Sequence, residues 1–550
     1  MTPRDPHTRL PTHEVANQPP ELPEFNGFTA DVPLQEGVAR ESPAWVAEHL
    51  QSLGAETGSA HWMEQGFLAN RNPPELIAFD RYGRRIDEVR YHPAYHGFMD
   101  LAIRNGIHAI AWTRQGEGGH VAHVAGLYLL TQPEQGFCCP ITMTHAVVPA
   151  LRHEPAASSE WEPRLFTNSY DPRCMPAREK HGVTFGMAMT EKQGGSDVRA
   201  NTTRARPIGE DAFELTGHKW FCSAPMSDAF LTLAQSDDGL TCFLVPRWRP
   251  DGRRNPFFIQ RLKDKLGNRS NASAEIEYNG TWARRVGEPG RGVRTIIEMV
   301  QQTRLDAATA PVGMMRLALV HALHHARHRE AFGSLLLEQP LMRNVLADLA
   351  LEVEGGIAMV LRVAAAFDRG ERDPREHRLA RIATAVTKYW TNKRAPQFIY
   401  EAMECLGGGG YVEESILPRL YREAPVNSIW EGSGNVICLD VLRAMEREPE
   451  SVQTFLEELE LARGGNTDLD AAVESLKREL ADPADAQMRA RRVAGLMAAT
   501  FQASLLVRHA PPAVSDAFCR TRLGADGGPV YGTLPRDVDT AVILSRVWAE

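Results

Sequence analysis

A change of periodicity along the chain does most to limit its fold. From about Pro43 to Arg152, apolar residues recur at helical spacing, broken by short loops such as "NRNPPE". Near Thr184 the texture changes. "FELTGHKWF", "AFLTLAQ", "LTCFLVP", "FFIQRL" and "AEIEYNG" are short segments of β-type alternation or β-rich composition, parted by Gly, Asp and Pro. Helical period then returns: in "LMRNVLADLALEVEGGIAMVLRV" one apolar stripe runs through Met342, Leu346, Leu349, Val353, Ile357 and Val360. Helices, then a compact β segment, then helices, imply an α+β chain that segregates its sheet from its helices.

This reading divides the chain into a Pro-rich, extended arm (1–42), an N-terminal helical domain (43–184), an all-β domain (185–288), a second helical domain (289–447) and a helical extension (448–550). No run approaches the eighteen or so apolar residues of a membrane helix, and the start lacks the apolar core of a secretory signal. Eight scattered cysteines, none in CxxC spacing, suit neither a disulfide framework nor a zinc site. The expectation is a cytoplasmic protein, with the two Asn-x-Ser triplets at Asn268 and Asn271 unmodified. A net charge of -9 gives no global drive toward nucleic acid or an anionic membrane.

Two glycine-containing stretches stand out. In "GMAMTEKQGGSDVRANTT", Gly194 and Gly195 permit close backbone approach to a ligand, and Thr190 and Ser196 add hydroxyl donors. It is neither a Walker loop nor a GxGxxG, and alone it reads equally as a turn. In "SIWEGSGN" (428–435), Glu431 sits between Trp430 and a run of Gly432, Ser433 and Gly434. Alone, that glutamate reads as a solvated loop residue.

The order of motifs changes that. "MTEKQGGSD", "GHKWFCS", "KLGNRSNAS", "RHREAFG", "ECLGGGGY" and "NSIWEGSGN" follow one another as in the acyl-CoA dehydrogenase superfamily, which the chain resembles over roughly residues 40 to 447. "ITMTHAVVP", "QPLMR", "PRLYREAPVNSIWEGSGN" and the helical extension resemble the alkylation-response branch of AidB-type proteins. The resemblance implies a helical domain, a β-barrel and a four-helix domain, with FAD between barrel and helices in a homotetramer. It implies that Met187, Ala188, Met189, Thr190 and Ser196 contact the flavin and its phosphates, and that Phe221, Cys222 and Ser223 line the ring. Cys222 stands where most relatives have a hydroxyl donor to flavin N5, and a thiol donates weakly.

The resemblance also implies that Arg329 and Phe332 reach a neighbouring subunit's pyrophosphate, and that Gly407 and Gly408 approach the dinucleotide. Ile429, Trp430, Gly432, Ser433, Gly434 and Asn435 would frame the cofactor, and Glu431 would be the base that takes the α proton of an acyl-CoA thioester. Isovaleryl-type relatives place their base on a helix just before an arginine, where this chain has Thr303 and Arg304. Trp430, replacing a common Tyr, suggests a short or branched acyl chain. His321, His324, His325 and His328 share one helix but read as polar helix surface, and no metal is expected.

The branch resemblance raises double-stranded DNA as a candidate partner and an alkylation-response role. The extension argues against it as the reader: residues 448–550 hold 11 Lys or Arg against 16 Asp or Glu, a net of -5. Its short basic cluster is Arg489, Arg491 and Arg492. A denser patch at 247–269 includes Arg247, Arg249, Arg253 and Arg254 among aromatics. It suits DNA, a subunit interface or an anionic cofactor equally.

Overall fold

A computed structural model describes residue 6 and residues 8–548; the outermost ends of the arm and extension lie outside the described residues. The N-terminal part runs α1 (Val32–Glu41), α2 (Ala44–Thr57), α3 (Ala60–Arg71), a hairpin of β1 (Glu75–Phe79) and β2 (Arg85–Arg90), then α4 (Pro93–Arg104), α5 (Ile110–Thr113), α6 (Gly119–Leu130), α7 (Cys138–Leu151) and α8 (Pro155–Leu165). Two features depart from the sequence reading. The arm ends in a helix, because Asp31 caps it by accepting from the Leu34 amide and α1 buries Leu34, Gly37 and Val38. The helical domain contains a hairpin, whose turn closes as Asp80 accepts the amides of Tyr82 and Arg84.

The all-β part comprises β3 (Phe185–Ala188), β4 (Arg204–Pro207), β5 (Ala212–Ser223), β6 (Ala229–Ser236), β7 (Gly239–Pro246), β8 (Phe257–Leu262) and β9 (Ser273–Val286). The path runs β3-β6-β4-β5-β9-β7, and β7 pairs with both β9 and β6, which closes the sheet into a barrel.

The second helical part holds α9 (Gly292–His328), a tiny hairpin of β10 (Glu330–Ala331) and β11 (Ser334–Leu335), α10 (Pro340–Arg369), α11 (Pro374–Cys405), α12 (Gly408–Tyr411), α13 (Leu417–Asn427) and α14 (Gly434–Arg447). The long helices α9, α10 and α11 pack on one another through the predicted apolar stripe, whose Leu346, Leu349, Ile357 and Val360 are buried.

The extension is α15 (Pro449–Glu460), α16 (Thr467–Ala481), α17 (Ala486–His509), α18 (Pro512–Arg522) and α19 (Thr540–Ser545). It is built into the body. α17 lies against α10, α11 and α14, burying Phe501 and Leu505. Arg362 of α10 holds Glu458 at 3.0 Å, and Arg546 binds Glu354 at 2.8 Å, both among buried groups. No described helix is long and apolar enough to cross a membrane.

Candidate active site

Glu431 lies in the short loop between α13 and α14, with its backbone in the left-handed region at φ 57°. A non-glycine residue takes that conformation at a cost, so something must hold it there. Two buried cations do. Lys388 of α11 donates from Nζ to the carbonyls of Trp430 and Gly432 at 2.9 Å and of Asn427 at 3.2 Å. Arg304 of α9 donates from Nε to the carbonyl of Glu431 at 3.2 Å and pairs with buried Asp440 at 2.9 Å. The flanking Gly432, at φ 99°, completes the turn.

The Glu431 carboxylate is set by the neighbouring helix. Thr303 Oγ1 donates to its Oε2 at 2.6 Å. Burial pushes the Glu431 pKa up, and Asp306 adds to that, whereas Thr303, Lys388 and Arg304 pull against it; the net direction is upward. Lys388 is drawn down to about 7, chiefly by burial, with the charge of Glu431 opposing.

The barrel supplies the facing wall. In β5 a bulge falls between Lys219 and Cys222. Within it Phe221 is 50% exposed, and past it Ser223 is half-buried while Cys222 is wholly buried in the core. This corrects the sequence expectation: the thiol faces away, and Ser223 is the side chain of that pair available to a ring. Cys139 of α7 neighbours Ser223 and Asn271 and feels the charge of Glu431; burial pushes its thiol up to about 11. Helical domain, barrel and loop thus meet at Cys139, Ser223 and Glu431.

The loop after β3 is held from below by a residue that sequence reading passed over. Glu191, fully buried, accepts from Lys219 Nζ at 2.8 Å and from the amides of Thr202 and Thr203 at 2.7 and 3.1 Å. Burial opposes its charge, yet Lys219 and these donors keep its carboxyl well below the ordinary range. The amide of Trp220 donates to the Thr190 carbonyl at 2.8 Å, tying this loop to β5. Met187, Met189 and Thr190 are half-buried and Ser196 is exposed, but Ala188 is wholly buried and its carbonyl accepts from Thr232 Oγ1 at 2.6 Å, so the expected flavin contact of Ala188 is not open in this structure.

Phe332, at the tip of the β10–β11 hairpin, is fully exposed, and a Cβ at Gly407, Gly408 or Gly409 would meet nothing. Arg329 donates through NH1 to the Asn17 carbonyl at 2.5 Å. Exposed Phe221 and Ile429 (65%), with the hydroxyls of Thr190 and Ser196, give apolar faces and donors of the kind a flavin dinucleotide takes, while Phe332 and the glycines at 407 to 409 leave open surface for close approach of a dinucleotide.

The basic patch is corrected. Arg247 is buried, donates to the Asp87 carbonyl at 2.9 Å and lies over the Phe257 ring. Arg249 donates to the Gly280 carbonyl, and Arg254 pairs with Glu88 at 2.5 Å. Arg253, 3.9 Å from Asp251, is the most exposed of these four, and Arg254 is exposed as well. Arg489 and Arg492 both pair with Glu479, at 2.6 and 2.9 Å. Little charge is left for a phosphate backbone.

Among the described residues the one metal-like group lies outside the α9 histidines, at His123, His145 and Asp306. His123 places one nitrogen 2.6 Å from the Ile107 carbonyl and the other 2.8 Å from Asp306, and its ring stacks on His145 at 3.7 Å. Stacked imidazoles point their lone pairs along parallel planes and do not converge on one ion. The arrangement suits a proton: burial disfavours it, but Asp306 and the carbonyl outweigh burial and raise the His123 pKa.

Comparison with known proteins identifies the family of the fold. Residues 17–172 match the profile "Adaptive response protein AidB N-terminal domain", residues 186–281 match "Acyl-CoA dehydrogenase, middle domain", and residues 290–446 match "Acyl-CoA dehydrogenase, C-terminal domain". The chain belongs to the acyl-CoA dehydrogenase family, FAD-dependent oxidoreductases acting on acyl-CoA, and within it to the AidB-like members. It is similar to the "Putative acyl-CoA dehydrogenase AidB" of Escherichia coli K12, at 44% identity over 94% of this chain and 95% of that protein. It is also similar to "Acyl-CoA dehydrogenase family member 11" of Caenorhabditis elegans, at 30% identity over 81% of this chain and 77% of that one. The solved structure of Caenorhabditis elegans ACDH-11 in complex with C11-CoA superposes with a TM-score of 0.85, covering 99% of this chain and 93% of that chain at 27% identity.

Proposed function

We propose that this cleft introduces a double bond between the α and β carbons of an acyl-CoA, with Glu431 as the base. The observation that carries the proposal is the Glu431 carboxylate, bonded by Thr303 on a loop whose carbonyls Lys388 and Arg304 hold, with its pKa raised by burial. A carboxylate so placed is a stronger base once ionised, which suits a weakly acidic C–H. FAD, when bound, supplies the acceptor for the β hydride. Glu431 takes the α proton, and the Glu431 amide is the candidate donor to the thioester oxygen as charge develops there.

Thr303 occupies the position at which isovaleryl-type relatives carry their base, and its hydroxyl reaches Glu431. Both family base positions therefore serve one carboxylate. The acyl chain is short or branched in this reading, because the Trp430 indole fills space that a smaller ring would leave. Arg329 and Phe332 complete the cofactor site of a second copy in a homotetramer, and the alkylation-response role rests on the likeness of the N-terminal domain to its AidB-like relatives.

The test is anaerobic loss of flavin absorbance on titration with butyryl-, isovaleryl- and undecanoyl-CoA. Bleaching by the first two at low concentration is expected. Bleaching by undecanoyl-CoA alone would overturn the chain-length assignment, and bleaching by none would overturn the reaction.

A further inference from the structure

The extension reaches the helix that follows the catalytic loop. Arg491, on α17, donates from Nε to Asn435 Oδ1 at 2.8 Å. Asn435 opens α14, directly after Ser433 and Gly434. A Cβ built on Gly434 would stand 2.9 Å from Lys393 Cε, 3.3 Å from Lys393 Nζ and 3.7 Å from an Arg491 terminal nitrogen. An ammonium and a guanidinium thus converge over one glycine. Beneath them Ala490 and Ala494 of α17 pack with Cys438 of α14 in a small buried cluster flanked by Tyr389, so the placement of Arg491 is built.

The charge around this pair is unbalanced. Its neighbours Arg489 and Arg492 share Glu479, and Arg489 also lies 3.7 Å from Asp482. Among the described residues neither Arg491 nor Lys393 lies within 4.0 Å of a carboxylate oxygen. Two like charges brought together without a carboxylate repel each other, and an anion between them relieves that. Gly434, itself buried, lets the two cations come this close, and the adjoining helix start has no side-chain cap on its amides.

We infer that Arg491, with Lys393, is a cofactor-binding residue contributed by the C-terminal extension, and that its ligand is the pyrophosphate of the flavin dinucleotide. The inference rests on the flavin reading of the cleft. Asn435 aims the guanidinium, as a fixed acceptor on a donor fork does. The extension then acts on the cofactor rather than on DNA, although Arg491 belongs to its one basic cluster.

The test is FAD affinity of the full-length apoprotein, measured by quenching of flavin fluorescence at low and at high salt, for wild type, Arg491→Gln, Lys393→Gln and Arg492→Gln. Arg491 and Lys393 are both exposed, so their loss leaves the fold in place, which a thermal melt of each apoprotein checks. Arg491→Gln is expected to weaken FAD about tenfold at low salt and Lys393→Gln by a smaller factor. The gap should shrink at high salt, as screening demands, and Arg492→Gln should match wild type. An Arg491→Gln affinity within twofold of wild type would overturn the assignment, as would a gap indifferent to salt, which marks a packing role. A wild-type apoprotein that takes up no FAD would overturn the flavin reading and this inference together.

Discussion

Replacing Thr303 by Val removes one hydroxyl and keeps the shape of the side chain. The Thr303 Oγ1 to Glu431 Oε2 contact is 2.6 Å, and Thr303 is 1% exposed, so no water takes its place freely. A hydrogen bond to a charged group contributes about 1.5–3 kcal/mol net. Its loss raises the Glu431 pKa, and at roughly 1.4 kcal/mol per pH unit the rising limb of the pH–rate profile should move up by about one to two pH units. The sign follows from the role. Glu431 acts ionised, so the rate rises as pH climbs through its pKa; a higher pKa moves that rising limb to higher pH and leaves the alkaline plateau nearly unchanged. The assay is the stopped-flow rate of anaerobic flavin bleaching by a substrate acyl-CoA across pH. Thr303→Ser keeps the donor and should keep the wild-type limb. A Thr303→Val limb that stays in place or moves to lower pH refutes the reasoning.

Lys219→Met leaves Glu191 buried and unpaired, a loss of about 3–5 kcal/mol that a thermal melt should show; adding Glu191→Gln should recover part of it. Lys388→Met strips the donor from three loop carbonyls, at roughly 1–3 kcal/mol for each group left unsatisfied. Its expected signature is retained FAD with acyl-CoA bleaching slowed at least a hundredfold, and an unslowed variant contradicts the loop-holding role. Arg253→Glu combined with Arg254→Glu should lower the melting temperature, through loss of the Arg254–Glu88 pair, more than it changes duplex-DNA retention in a gel shift. A sharp loss of DNA retention with unchanged stability would restore the patch as a nucleic-acid surface.

The order of layers was legible because β-rich segments between helical stretches leave few alternatives. Helix α1 was hidden by the prolines of the arm, and its capping Asp31 draws its remaining contacts from Tyr128 and Arg316, far along the chain. Hairpin β1–β2 carried a readable signal in "DRYG", which the surrounding helical period masked. At the site, Glu431 was legible through its glycine neighbours and the order of motifs. Thr303, Lys388, and the Glu191–Lys219 pair were not, because each acts on a partner 28 to 128 residues away, and no local window shows it. The inward turn of Cys222 was hidden because the bulge before it fixes which side chains of β5 face outward. The charge count of the extension was right as a sum, yet silent on which arginines were already paired.

One side-by-side measurement bears most directly on the reaction: anaerobic acyl-CoA bleaching of wild type and Glu431→Gln, each first shown to carry its FAD. The amide keeps the size of the carboxylate and can still accept the Thr303 hydroxyl, but it cannot take the α proton. Wild type should bleach and the variant should be slower by about 10²- to 10⁴-fold, the range for loss of a general base. Equal bleaching by the two proteins would place the base elsewhere and contradict the role of Glu431 in proton abstraction.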